Sequence, residues 1–148
     1  MQSNISYFCK MEKIKFRSDC PISMILDLIG DKWTMLVIRD IALFQKHTFN
    51  EFLKSDEKIA SNILSDRIAK LEQLGFIVKK EHGDSKAKIY YGLTKKGIDL
   101  LPIIFEMAIW SDKHLKVHTD AKPFIKSIKE DRVTVLKRIA KTHQSDLK

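Results

Sequence analysis

Apolar residues recur at helical spacing along most of this chain and switch to alternation in one stretch. In Ser61–Gly75, SNILSDRIAKLEQLG, the residues Leu64, Ile68, Leu71 and Leu74 follow one another at steps of four, three and three, which gathers them on one face. Ser61 is placed to cap the start, and Gly75 follows where a left-handed residue costs little. The opposite face carries Ser61, Asn62, Ser65, Asp66, Ala69 and Gln73, with Arg67 and Lys70 on the flank. A helix that packs on one side and offers short hydrogen-bonding groups and cations on the other has the form needed to read DNA in the major groove. An ordinary amphipathic surface helix shows the same pattern, so its neighbours decide between the two.

Three helices are predicted upstream. Cys20-Pro21 opens the first, with Ile22, Ile25, Leu26 and Ile29 on one face and Gly30 stopping it. Asp31 caps the second, from Lys32 to about Phe44, which turns Trp33, Leu36, Val37, Ile41 and Phe44 inward. Trp33 reads as a core residue rather than part of a ligand box. Thr48-Phe-Asn-Glu51 is a capping box that starts a third, short helix facing Phe49, Phe52 and Leu53 inward. The polar turn Ser55–Lys58 leads from it into Ser61–Gly75. Two short helices joined by a tight turn, the second polar outside, form a helix-turn-helix.

Downstream the period falls to two. Phe76–Glu81 and Lys88–Leu93 read as strands joined by the turn His82-Gly-Asp-Ser85, with Ile89, Tyr91 and Leu93 on one face. The ribbon carries Lys79, Lys80, Lys86 and Lys88 against Glu81 and Asp84. Thr94 then caps a long helix to about Val117, about 35 Å at 1.5 Å per residue, with a kink expected at Pro102. Ten of the thirteen residues from Ile98 to Trp110 are apolar, so this helix needs cover on several sides. A last helix, Pro123 to about Lys141, supplies one side through Ile125, Ile128, Val135, Leu136 and Ile139. A second copy of the chain supplies another, over Ile103, Ile104, Met107 and Trp110. The expected class is therefore mostly α with a small β-hairpin wing (α+β), a winged helix-turn-helix with flanking dimerisation helices. Residues 1–19 are an N-terminal arm or short helix, 20–112 the winged domain, and 113–148 a C-terminal helical extension.

Composition qualifies the choice of partner. The net charge of +8 favours a polyanion, yet residues 111–148 hold ten Lys/Arg against five Asp/Glu. Residues 1–110 hold seventeen against fourteen, so much of the excess lies outside the reading helix, where a solvated face accounts for it as well. The first residues lack an apolar signal core, and Leu100–Trp110 is too short to span a bilayer, so a cytoplasmic protein with no membrane partner is expected. Two cysteines without a C-x-x-C spacing make neither a disulfide framework nor a zinc site.

This order of elements resembles the MarR-like winged-helix transcriptional regulators, and within them the HxlR-type subfamily. The residues that carry the resemblance are Cys20-Pro21, Gly30-Asp-Lys-Trp-Thr34, Phe49-Asn-Glu-Phe-Leu53, Ile59 through Leu64, Arg67, Leu71, Gly75, Tyr91 to Thr94, Gly97, Leu101-Pro102 and Trp110. The chain departs from the family at three places. Asp31 stands where glycine is usual, the wing tip is shorter and lacks prolines, and Asp66 is acidic in a helix meant to face DNA. An acid there either accepts from cytosine N4 or is held by Arg67 or Lys70.

The resemblance implies a homodimer that binds double-stranded DNA as two half-sites about one helical turn apart. It assigns base edges to Ser61, Asn62 and Ser65. Phosphate or shape contacts fall to Arg67, Lys70, Lys86 and Lys88, and phosphate to Thr48 and Asn50. It also implies an oxidant, electrophile or small-molecule effector, with Cys20 as the candidate redox-sensing residue. A thiol at a helix N-terminus has its thiolate favoured by the dipole. A small buried apolar residue is the plainer role for Cys20. Cys9 is near enough in sequence to resolve a sulfenate, or is inert. An apolar pocket between the long helices is an alternative place for an effector.

His114 and His118, four apart, share a helix face, but beyond Asp112 no third ligand is evident, so no metal and no cofactor are expected. There is no P-loop, G-x-G-x-x-G, H-E-x-x-H or G-x-S-x-G, so an enzyme is not expected. The rival reading is a winged helix that binds protein without sequence-specific DNA binding. Salt discriminates the two, because DNA binding weakens steeply with ionic strength.

Overall fold

The computed structural model describes residues 14–82 and 85–146, with backbone alone for 81, 82, 85–87 and 144–146. Cys9 and the hairpin tip at 83 and 84 lie outside the described residues. The elements run α1 (Pro21–Ile29), α2 (Thr34–Phe44), α3 (Phe49–Leu53), α4 (Ser61–Gln73), β1 (Ile77–His82), β2 (Ser85–Leu93), α5 (Lys95–Ile98), α6 (Leu101–His114), a 3-10 turn (Thr119–Ala121), α7 (Lys122–Glu130) and α8 (Arg132–Asp146).

Local chemistry sets most boundaries. Pro21 occupies the first turn of α1, where its missing N–H costs nothing. The Asp31 carboxylate accepts from the amides of Trp33 and Thr34, each at 2.9 Å, so it caps α2 as the sequence predicts, with the helix beginning at Thr34. The capping box of α3 is complete: Glu51 accepts from the Thr48 amide at 2.8 Å, and the Glu51 amide donates to the Thr48 hydroxyl at 3.4 Å. Gly75 takes the left-handed conformation, φ 75°. Its N–H donates to Glu72 O at 3.0 Å and that of Phe76 to Leu71 O at 2.9 Å, which closes α4 with a Schellman pair.

Two expected helices are divided. The helix from Thr94 to Val117 is α5 and α6, because Pro102 sits in the first turn of a new helix instead of kinking one already running. The helix from Pro123 breaks at Asp131, whose non-helical backbone (φ −149°, ψ 73°) separates α7 from α8. At the start of α4 the N-cap position belongs to Ala60, and Ser61 is the first helical residue, so the expected Ser61 cap is not formed.

Helix α2 is the centre of the molecule. Ile38 and Ile41 are fully buried, and α2 packs against α4, β2, α6 and α8. Leu64 and Leu71 of α4, Phe52 of α3, Leu93 of β2, and Leu101 and Phe105 of α6 complete the core. β1 and β2 pair antiparallel, with Ile77 opposite Leu93 and Lys79 opposite Tyr91, and the register shifts between Glu81 and His82. His47 braces the sheet from outside: the Tyr91 amide donates to its carbonyl at 2.7 Å, and its ring stacks on Tyr90 at 5.4 Å. The C-terminal extension closes the back. Phe124 of α7 meets Phe105 edge-on at 5.6 Å, and α8 buries Val135, Ile139 and His143.

Candidate nucleic-acid interface

Burial along α4 divides the helix as its sequence pattern predicts. Leu64, Ile68 and Leu71 lie in the core, while Ser61, Asn62, Ser65, Asp66 and Ala69 are exposed. The outward row is short, so nothing on it keeps a base edge at a distance. Lys70 is half-buried on the flank. At the start of α3, Asn50 is exposed, and the Thr48 hydroxyl is drawn back to the Glu51 carboxylate at 2.9 Å. The His47 amide, ahead of the Thr48 hydroxyl and amide, holds the Glu51 carboxyl below its ordinary pKa despite partial burial, which keeps the box charged and closed. Lys88 is exposed on β2; the Lys86 side chain lies outside the described residues.

Arg67 is placed differently from its expected role. Its Nε lies 3.0 Å from Asp31 Oδ1 and its Nη1 2.6 Å from Asp66 Oδ2, and its side chain is only 24% exposed. The acid in the reading helix is thus held by the neighbouring arginine, one of the alternatives left by the sequence. Burial raises the Asp31 pKa, but the Thr34 hydroxyl and amide, the Trp33 amide and the Arg67 charge together bring it below the usual value.

A second tie, not anticipated from the sequence, anchors the turn between α3 and α4. Asp40, at the far end of α2, is buried. It accepts from the Ser55 hydroxyl and from Arg39 Nη2, the latter at 2.6 Å, while Lys46 Nζ donates to Ser55 Oγ at 2.7 Å. Arg39 also grips Glu57 through two hydrogen bonds of 2.6 and 3.0 Å. The legible signal was four charged residues, Arg39, Asp40, Lys46 and Glu57, around a turn that must bury Ser55.

The expected dimer residues separate. Ile104 is in the protomer's own core, because its side of α6 faces inward, whereas Ile103, Met107 and Trp110 are exposed on the outer side, Trp110 at 58%. Ile22 and Leu26 of α1 are exposed as well, so part of the apolar face expected to be buried there is uncovered in one protomer. Cys20 is exposed at the N-cap of α1, which removes the reading of it as a buried apolar residue. The two histidines do not share a helix face. α6 ends at His114, which packs on Trp110 at 4.8 Å, and His118 lies beyond, capping the 3-10 turn. Asp112 is held by Lys122 and Lys129. Among the described residues no helix is long and apolar enough to cross a membrane.

The model of the HxlR-like helix-turn-helix family matches residues 28–119. An HTH-type transcriptional regulator of Halalkalibacterium halodurans is 35% identical over 102 residues, covering 69% of this chain and 90% of that one. Among solved structures, the redox regulator HypR in its oxidized form superposes with a TM-score of 0.59 at 30% identity, over 66% of this chain and 100% of that one. The reduced form of the transcriptional regulator YodB from B. subtilis superposes with a TM-score of 0.53 at 27% identity, over 66% and 95%.

Proposed function

This chain belongs to the HxlR-like helix-turn-helix family of transcriptional regulators, and on that premise we propose that it works as a homodimer on an inverted-repeat DNA site. Each subunit lays α4 in a major groove, with Ser61, Asn62 and Ser65 at base edges. Lys70, Thr48 and Asn50 meet the flanking phosphates, and Lys86 and Lys88 carry the wing onto the backbone beside them. The observation that supports this best is the division of α4: three leucine and isoleucine side chains buried, and a continuous row of short polar residues outside. The second copy covers Ile103, Met107 and Trp110, the apolar surface that the protomer leaves open.

One neighbour in structure is named a redox regulator and another is described in its reduced form, and Cys20 stands exposed at a helix start, so an oxidant or electrophile switch at Cys20 is part of the reading. Selection from a pool of random duplex DNA, repeated across salt, tests the DNA reading. The expected product is an inverted repeat with half-sites about one turn apart, bound with a steep salt dependence. Weak binding without sequence preference rejects it in favour of a winged helix that binds protein.

A further inference from the structure

We infer that Asp31 positions the reading helix through Arg67, and in doing so withholds that cation from DNA; this rests on the proposed DNA-binding function. The carboxylate is a fixed point. It accepts the Trp33 and Thr34 amides at 2.9 Å each and the hydroxyl of fully buried Thr34, so its oxygens cannot move without uncapping α2. From there it faces Arg67 Nε at 3.0 Å, an ion pair rather than an aligned hydrogen bond, across the gap between the α1–α2 turn and the middle of α4. The other partner of Arg67, Asp66, lies on α4 itself and is mostly exposed. That contact orients the guanidinium but cannot tie the helix to the domain.

The other contacts of α4 with the core are Leu64, Ile68 and Leu71, with Ile63 and Leu74 partly buried beside them, all apolar. They set how deep the helix sits and which face it turns inward. An ion pair off the axis adds a further restraint on roll. Side-chain tips stand about 5–6 Å from a helix axis, so a roll of about 10° moves them about 1 Å. A displacement of that size exceeds the half-ångström window of a good hydrogen bond. Asn62 and Ser65 would then miss their base edges while Lys70 still found a phosphate. Sequence preference, more than overall affinity, therefore depends on the Asp31–Arg67 pair.

The same geometry accounts for the low exposure of an arginine beside the reading face. In the folded domain its charge is spent on two carboxylates, and it adds nothing to counterion release. Removing Asp31 alone would leave Arg67 held only by the exposed Asp66, a pair that a phosphate can displace, and so trade selectivity for indiscriminate binding.

The test uses the full-length reduced protein, its selected duplex and a scrambled duplex of equal length, with anisotropy titrations across salt. Asp31→Asn keeps an oxygen for the two amides and removes the charge. Its expected effects are a selected-to-scrambled affinity ratio lowered about tenfold, the size of one lost base contact. It should also steepen the scrambled-duplex slope of log K against log salt by about 0.9 per subunit, one phosphate gained. Arg67→Gln is expected to lower the ratio without steepening the slope, and the double variant to be no worse than Arg67→Gln alone. An unchanged ratio in both single variants overturns the positioning role. A shallower slope in Arg67→Gln overturns the withholding, because Arg67 would then already rest on a phosphate. If Asp31→Asn melts early, Asp31→Ser, an uncharged capping residue, carries the same measurements. A wild-type protein with no sequence preference rejects the proposed function itself, and this inference with it; loss confined to the variants bears on the pair alone.

Discussion

Replacing Trp110 by alanine should dissociate the dimer without unfolding the protomer. The indole is 58% exposed in one protomer, with the His114 ring tilted against it at 4.8 Å. With about 250 Å² of side-chain surface, it shows about 145 Å² to solvent. Covering that area is worth about 3.5 kcal/mol at about 25 cal/mol per Å². A twofold interface uses the indole twice, so about 7 kcal/mol is the ceiling for the Trp110 contribution to a dimer. Ordering and imperfect fit reduce it, and a central aromatic anchor typically costs about 2–4 kcal/mol when truncated. The dimer dissociation constant should therefore rise by about 30- to 1000-fold. Sedimentation equilibrium over a concentration series reads this directly. The thermal midpoint of the dilute monomer should change little, because the residue lies outside the protomer core. A variant that dimerises within a factor of about three of wild type refutes the argument. So does a wild-type chain that stays monomeric at concentrations of about 0.1 mM, because α6 would then have no self-partner at all.

Gly97→Ala should be far more damaging than a methyl group suggests. Its Cβ would fall 2.1 Å from Phe76 O, backbone at the root of the wing, so either α5 or β1 must move; the expected loss is about 3 kcal/mol, read by urea unfolding, and a loss under about 1 kcal/mol refutes it. Acid should loosen the tie between α2 and the helix-turn-helix turn. The Arg39 hydrogen bonds hold the Glu57 pKa at about 2 against an ordinary 4.5, so its contribution is present above 4.5 and is lost as the pH falls toward 2. Glu57 is more than a third exposed, so the effect is modest: Glu57→Gln should flatten part of the fall in Tm between those pH values, and an unchanged Tm–pH curve counts against it. Mild peroxide should release wild-type protein from DNA and leave Cys20→Ser bound; equal release of both removes Cys20 as the sensor.

What the sequence made legible follows the reach of each signal. Periodicity is local, and it located α1 to α4, both strands and the inward face of α4 to within a few residues. Capping chemistry is local too: Asp31, Thr48 and Thr94 each bond the amides their spacing predicts. Long apolar runs were less informative, because Pro102 both permits a new first turn and breaks an old one, and only packing decides. Asp131 was a signal passed over: aspartate is a favoured N-cap, and its carboxylate accepts the Thr134 amide at 3.1 Å at the start of α8, which makes two helices of one expected helix. The pairing of Arg67 with Asp31, 36 positions earlier in the chain, was beyond any local pattern. Read on its own, an arginine on a helix flank next to a polar face is indistinguishable from a phosphate contact.

The C-terminal extension and the proposed dimer surface answer one problem, the surplus apolar surface of α6. Leu101, Ile104 and Phe105 face inward, and Phe105 is met by Phe124 of α7. That accounts for one side of the helix. Ile103, Met107 and Trp110 stay exposed, as do Ile22 and Leu26 of α1. If the extension existed to replace a partner subunit, it would lie over those residues. Instead α8 turns past α6 onto α2, α5 and β2, and buries His143 against His47, next to the capping box that starts the helix-turn-helix. Ile125, Ile128, Val135, Ile139 and His143, beyond the family-matched segment, therefore belong to the core that holds the helix-turn-helix, and the outer face of α6 is left for the proposed second copy. On this arrangement the extension and the dimer make separate contributions. Shortening α8 should loosen α3 and the wing, whereas altering Trp110 should cost the pairing of two heads whose individual structure is intact.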